Sequence, residues 1–191
     1  MRLVNTIALL ALSVGLLGCG QKRLPPAAAD PQQRYDAAKA LFEKASREFH
    51  IPSAQARGAE RARLEDEAAA IYTELASNYA DQVIWAAQAL RSLGNIHASR
   101  TNIDAAVKCY AQVAEKLPRQ DFEVLMAWKS ASDLLSDASR FAEAKVYYEK
   151  LVARFDKPDA LPIVQSVVRG AKSRLQGDLL LSAGNRQRAH H

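Results

Sequence analysis

The chain has 191 residues, 49% of them hydrophobic, a length that suits one domain with a real core. Lys and Arg total 26 against 21 Asp and Glu, a formal charge of +5. That balance excludes an acidic surface and draws two classes of partner: nucleic acid, and anionic lipid or cell wall.

The first eighteen residues read as an address. Met1-Arg2 is a short positive segment, and Leu3 to Leu17 is apolar apart from Asn5, Thr6 and Ser13. The run is too short and too rich in small residues for a membrane span and fits the apolar core of a signal peptide over 1–18. It ends in Leu16-Leu17-Gly18-Cys19, which resembles the lipobox of bacterial lipoproteins. The resemblance implies that Cys19 is diacylated and becomes the new amino terminus, which is usually acylated too. Two or three acyl chains, at about 0.8 kcal/mol per buried CH₂, tether a protein without a span. Gly20 stands where an Asp would retain a lipoprotein at the inner membrane, so the outer membrane is expected over the inner, with the domain facing the periplasm. Export makes nucleic acid an unsuitable partner. Removal of Arg2 leaves 25 basic residues against 21 acidic, a net charge of +4.

Residues 19–30 follow as the lipidated cysteine and a flexible linker, with two prolines and no apolar periodicity. Asp30-Pro31 reads as an N-cap followed by proline in the first turn. From there apolar residues recur three or four apart, the signature of helices with one buried face. The stripes are Tyr35–Phe49, Leu64–Tyr79, Ile84–His97, Ile103–Leu117, Leu125–Leu135, Phe141–Phe155 and Val164–Leu179. About seven helices are therefore expected over 31–183, an all-α fold, followed by a basic flexible tail over 184–191. A protruding loop is expected from His50 to about Glu60, which holds Pro52 and Gly58. Thr101-Asn102-Ile103-Asp104 reads as a capping box with Asp in place of Glu or Gln. Pro118 and Pro158 lie beyond helix ends. The basic excess is late: Lys157, Arg169, Lys172, Arg174, Arg186 and Arg188 face only Asp159 and Asp178.

The stripes repeat at an interval of 38 residues. It links Ala68, Ala106 and Ala144; Tyr72, Tyr110 and Tyr148; Leu75, Val113 and Leu151; and Tyr79, Leu117 and Phe155. On the intervening helices it links Leu90 to Trp128, and Gly94 to Ser132 and Gly170. Positions in register over three copies imply repeated helical hairpins. Small residues there let two backbones approach, and the aromatic fills the adjacent groove.

These residues resemble the tetratricopeptide repeat (TPR). Residues 87–120 offer Leu90, Leu93, Gly94 and His97, then Ala106, Tyr110, Val113 and Pro118. Residues 125–158 offer Trp128, Ala131, Ser132 and Leu135, then Ala144, Tyr148 and Leu151, with Asp156 in place of proline. Residues 31–80 match only in their second helix, and the last helix reads as a cap. The interval exceeds the family's usual length of about 34. Longer repeats carrying Leu75 to Asp81, with Ala80 where proline is usual, look like envelope TPR lipoproteins, similar in style to the lipoprotein subunit of the outer-membrane β-barrel assembly machinery. The resemblance implies a stack of antiparallel helix hairpins, an α-solenoid.

No catalytic constellation is present: no phosphate loop, HExxH, CxxC or nucleophile elbow. The chain is expected to be no enzyme and to need no cofactor or metal. Cys109 reads as a small buried hydrophobe, His97 as a packed residue with one hydrogen bond, Trp128 as core, and Glu65-Asp66-Glu67 as a solvated helix face. The remaining candidate is a groove lined by Gln88, Arg91, Asn95 and Ser99 on one first helix and by Met126, Lys129, Ser130, Asp133 and Asp137 on the next. Arg91 and Asn95, one turn apart, resemble half of the clamp with which some TPRs hold a peptide carboxylate. Ser130 stands where the other half would have an amide. The expected function is a membrane-tethered scaffold for other envelope proteins or peptides, in outer-membrane protein assembly or secretion. The alternative is a structural lipoprotein that meets cell wall or anionic lipid through its basic C-terminal face. An uncovered end of so short a stack allows homo-oligomerisation.

Overall fold

The computed structural model describes residues 30–188, with side chains to Gly177. The signal peptide, Cys19 and the linker to residue 29 lie outside the described residues, as do residues 189–191; the expected tail from 184 falls beyond the described side chains. The described chain is all-helical. Seven helices pack against one another: α1 (Pro31–Lys44, extended by Ala45–His50 and Ile51–Ser53), α2 (Gly58–Asn78), α3 (Val83–Ser99), α4 (Ile103–Lys116), α5 (Asp121–Asp137), α6 (Phe141–Phe155) and α7 (Pro162–Arg188). Each packs chiefly on its neighbours in sequence, and α3 meets α5 and α5 meets α7. Connections this short make successive helices run antiparallel.

The start of α1 follows the sequence reading. Asp30 caps it by accepting from the Gln32 N–H at 3.3 Å, and Pro31 occupies the first turn where no N–H is needed. The loop expected from His50 to Glu60 is not there; helix continues through Pro52 to Ser53, leaving only residues 54–57 between α1 and α2. Pro52 lacks an N–H and its ring crowds the carbonyl four residues back. The chain accommodates this by widening Ala45–His50 into a π-helix, where the Ile51 N–H bonds Ser46 five residues back. The Ser53 hydroxyl donates to the His50 carbonyl at 2.7 Å.

The reading of Thr101 as a cap is also corrected. Asn102 is the cap of α4, its side chain accepting from the Ala105 N–H at 3.4 Å. Thr101 instead closes α3 in the left-handed region at φ 59°, and Ser139, 38 residues on, closes α5 at φ 60°. In both turns the next N–H reaches back five residues, Asn102 to His97 at 2.9 Å and Arg140 to Leu135 at 2.8 Å. The left-handed residue itself reaches back three, at 2.9 Å in each. That is a Schellman motif built twice without glycine.

The repeat positions on α2, α4 and α6 all pack inside. Ala68, Ala106 and Ala144 have no exposure; Tyr72, Tyr110 and Tyr148 are 0%, 2% and 3% exposed; Leu75, Val113, Leu151, Tyr79, Leu117 and Phe155 are buried. Burying each ring contributes roughly 2–3 kcal/mol. The core has two parts that share α3. Ala89 and Ile96 face α1 and α2 with Tyr72 and Leu75, while Ala86, Ala87 and Leu90 face the larger cluster that runs to Val168 and Ala171 of α7. Of the small residues at the interval, Gly94 and Ser132 are buried, but Gly170 faces open space. No further helix follows α7 among the described residues, so Gly170 has no tyrosine to admit.

Candidate functional site

The candidate face is built from α3 and α5, and the structure ties most of its polar groups into the molecule. Arg91 Nε donates to Glu123 Oε2 at 2.7 Å, joining α3 to α5. Asn95 Oδ1 accepts from the Tyr110 hydroxyl at 2.8 Å. The Ser99 hydroxyl donates to Glu65 at 2.9 Å and to its own helix at Ile96 O. Lys129 pairs with Asp133 at 2.6 Å, and the Tyr148 hydroxyl donates to Asp133 Oδ1 at 3.1 Å. Gln88, Met126 and Ser130 are half-buried and Asp137 is exposed. The Arg91 and Asn95 pair thus meets Glu123 and Tyr110 in the described molecule.

Two of these bonds are the same bond. Tyr110 to Asn95 and Tyr148 to Asp133 each span fifteen residues, and both ends differ by the 38-residue interval. Burial pushes the Tyr110 hydroxyl up to about 12, with Ser130 on the following helix opposing the shift. Burial likewise raises Tyr148. Tyr72, where the first helix is displaced, meets His50 Nδ1 instead at 3.2 Å. Burial lowers the His50 imidazole below its ordinary value, against the pull of Glu65.

Glu65 departs from the expected solvated face. It is 4% exposed, and accepts from Arg61 at 2.9 Å, Arg100 at 2.7 Å and Ser99. Burial pushes its carboxyl up, but the three donors outweigh that and hold it below the usual range. Glu67 is exposed, and Asp66 is exposed and pairs with Arg100 at 2.8 Å. The legible signal was its place beside Leu64 on the buried stripe, with Arg61 one turn before it. Glu123, 7% exposed, was missed because its partner lies 32 residues away. Trp85 was also missed. Its ring lies 5.7 Å from Tyr35 and 5.6 Å from Phe42, and its buried indole N–H has no partner.

Cys109 is buried, and burial raises its thiol above the ordinary value, with Lys108 opposing; this suits a packed rather than a reactive cysteine. Trp128 is half-buried against the core, edge-on to Phe155 at 6.1 Å, with the Arg154 guanidinium 5.7 Å over its ring. Among the described residues no group of three His, Cys, Asp or Glu is placed to hold a metal ion. No helix among them is long and apolar enough to cross a membrane.

The late basic residues frame a second feature. An open hollow of about 390 Å³ lies where α6 hands over to α7. It is lined by Lys157, Arg169 and Lys172 together with Asp156, Gln165, Pro158, Phe155 and Val168. Lys172 is bound to Asp156 at 2.6 Å. Compared with family models, with curated proteins and with solved structures, the chain has no match.

Proposed function

We propose that the protein is a non-catalytic interaction scaffold of the bacterial envelope: a TPR-like stack of antiparallel hairpins held at a membrane by lipid on Cys19. It faces the periplasm, at the outer membrane rather than the inner, and engages envelope proteins or peptides in outer-membrane protein assembly or secretion. One observation carries the scaffold reading. The 38-residue interval recurs in three dimensions, in the Tyr110–Asn95 and Tyr148–Asp133 bonds and in the paired Thr101 and Ser139 turns. A periodic array buries a continuous core while presenting its first helices side by side. The lipobox supports the tether.

Photoreactive residues at Arg91 and Lys129, activated in living cells and followed by mass spectrometry, test the scaffold. A reproducible partner captured from these positions is expected. Capture from Arg174 alone would sink the choice of face. Labelled palmitate, incorporated by the native chain and lost in Cys19→Ser, tests the tether. The hollow at Lys157, Arg169 and Lys172 favours a second reading, a structural lipoprotein that meets anionic lipid or cell wall. Salt separates the two, since ionic contacts weaken steeply with ionic strength and apolar ones do not.

A further inference from the structure

The antiparallel order puts the starts of α1, α3, α5 and α7 and the ends of α2, α4 and α6 at one end of the array. Cross-links confirm that these termini meet. Arg34 of α1 pairs with Asp81 and donates to Asn78 O at the α2–α3 joint. Arg154, near the end of α6, pairs with Asp121 at the start of α5 at 2.5 Å and donates to Pro118 O. Among the described residues, five of the nine exposed large apolar side chains collect at this end: Val83, Ile84, Phe122, Leu161 and Ile163, the last three 53–68% exposed. Ile84 and Phe122 are one interval apart. Among the described side chains the opposite end shows Ile51 and Phe141, with Val146 one turn in from it.

The charge at this end is largely paired. Asp81, Asp121 and Asp156 are each neutralised by Arg34, Arg154 and Lys172. Lys116, Arg119 and Lys157 pair with no acid among the described residues, and Glu115, Asp159 and the capping Asp30 pair with no cation there. The basic hollow opens beside them. Exposed apolar side chains with Lys and Arg among them match the headgroup boundary of a phospholipid bilayer, where rings and aliphatic chains seat among headgroups and Lys and Arg meet phosphate. The chain also arrives here. Asp30 begins α1 at this end, and residues 19–29, at about 3.3–3.6 Å each, reach at most about 40 Å.

We infer that this end lies flat on a phospholipid surface, with Ile84, Phe122, Leu161 and Ile163 at the headgroup boundary. The inference rests on reading Cys19 as the lipid anchor, and it leaves the α3–α5 face uncovered by lipid.

The test uses the full lipidated chain in vesicles of phosphatidylethanolamine and phosphatidylglycerol that contain nitroxide-labelled lipid. Fluorophores are placed through Phe122→Cys, or through Phe141→Cys at the opposite end, with Cys109→Ala in both. Strong quenching at position 122 and little at 141 is expected. Exchanging Ile84→Ser and Leu161→Ser should reduce the quenching several-fold while the chain still floats with the vesicles. Equal quenching at both ends, or quenching untouched by the two serines, overturns the inference. Position 122 linking between copies without quenching also overturns it, in favour of a second chain on that end. A chain that takes no palmitate and does not float removes the anchor reading, and the inference with it.

Discussion

The ring of Tyr110 occupies the space where a side chain on Gly94 would begin. A Cβ at Gly94 would fall 2.5 Å from Tyr110 Cε1 and 2.8 Å from Cδ1, and the ring is itself 2% exposed. The glycine on α3 and the tyrosine on α4 are therefore one packing unit. Gly94→Ala should destabilise the fold by about 1–3 kcal/mol, since the ring has nowhere to retreat. Gly170→Ala, into open space on a helix, should be neutral or stabilise by up to about 1 kcal/mol. Urea midpoints of the two variants check the contrast; equal effects would contradict it.

The two tyrosine hydroxyl bonds should differ in value although they are equivalent by repeat. Tyr110→Phe strands the half-buried Asn95 and should cost about 1–2 kcal/mol. Tyr148→Phe leaves Asp133 40% exposed and still paired to Lys129, so it should cost less, about 0.5–1 kcal/mol. A double-mutant cycle of Tyr110→Phe with Asn95→Ala should return a clear coupling; additive effects would deny the bond.

Glu65 should matter where Glu67, two residues on, does not. Glu65→Gln removes the charge that gathers Arg61, Arg100 and Ser99, and half-exposure of the two arginines limits the loss to about 1–3 kcal/mol. Glu67→Gln, on an exposed helix face, should change stability by no more than about 0.5 kcal/mol. Thermal unfolding of both variants decides between a structural carboxylate and a solvated one.

Acid should weaken the N-terminal part in two steps. The His50 imidazole is held below its ordinary value of 6.5, so the unfolded chain takes up the proton first. Its contribution is complete above pH 6.5 and is lost as pH falls through the lower folded value. Asp81, drawn down from 3.8 to about 2 chiefly by its bond from Arg34, contributes above pH 3.8 and loses that as pH falls through about 2. Urea midpoints across these ranges should fall in both windows. His50→Asn should flatten the first, and Arg34→Gln the second. A first window unchanged in His50→Asn would assign it to another group.

The sequence by itself determined the helices and which face of each is buried. Ala, Tyr and Leu at a fixed interval leave one stripe per helix that only a like neighbour can cover, and all of them are inside. Seven helices and the Asp30 cap were legible because caps, prolines and periodicity act within one or two turns, whereas the cap of α4 was read one residue early. What lay across helices was not. Glu123 reaches Arg91 over 32 residues, and Glu65 reaches Arg100 over 35. Apart from Leu64 and Arg61 beside Glu65, no local pattern distinguishes such carboxylates from solvated ones. Pro52 signals a break, yet packing of Ala45 and Phe49 on α2 kept the helix going by widening it. Only the tertiary structure decided these matters, because desolvation and long-range pairing depend on which surfaces meet, and a one-dimensional pattern fixes only which surfaces must hide.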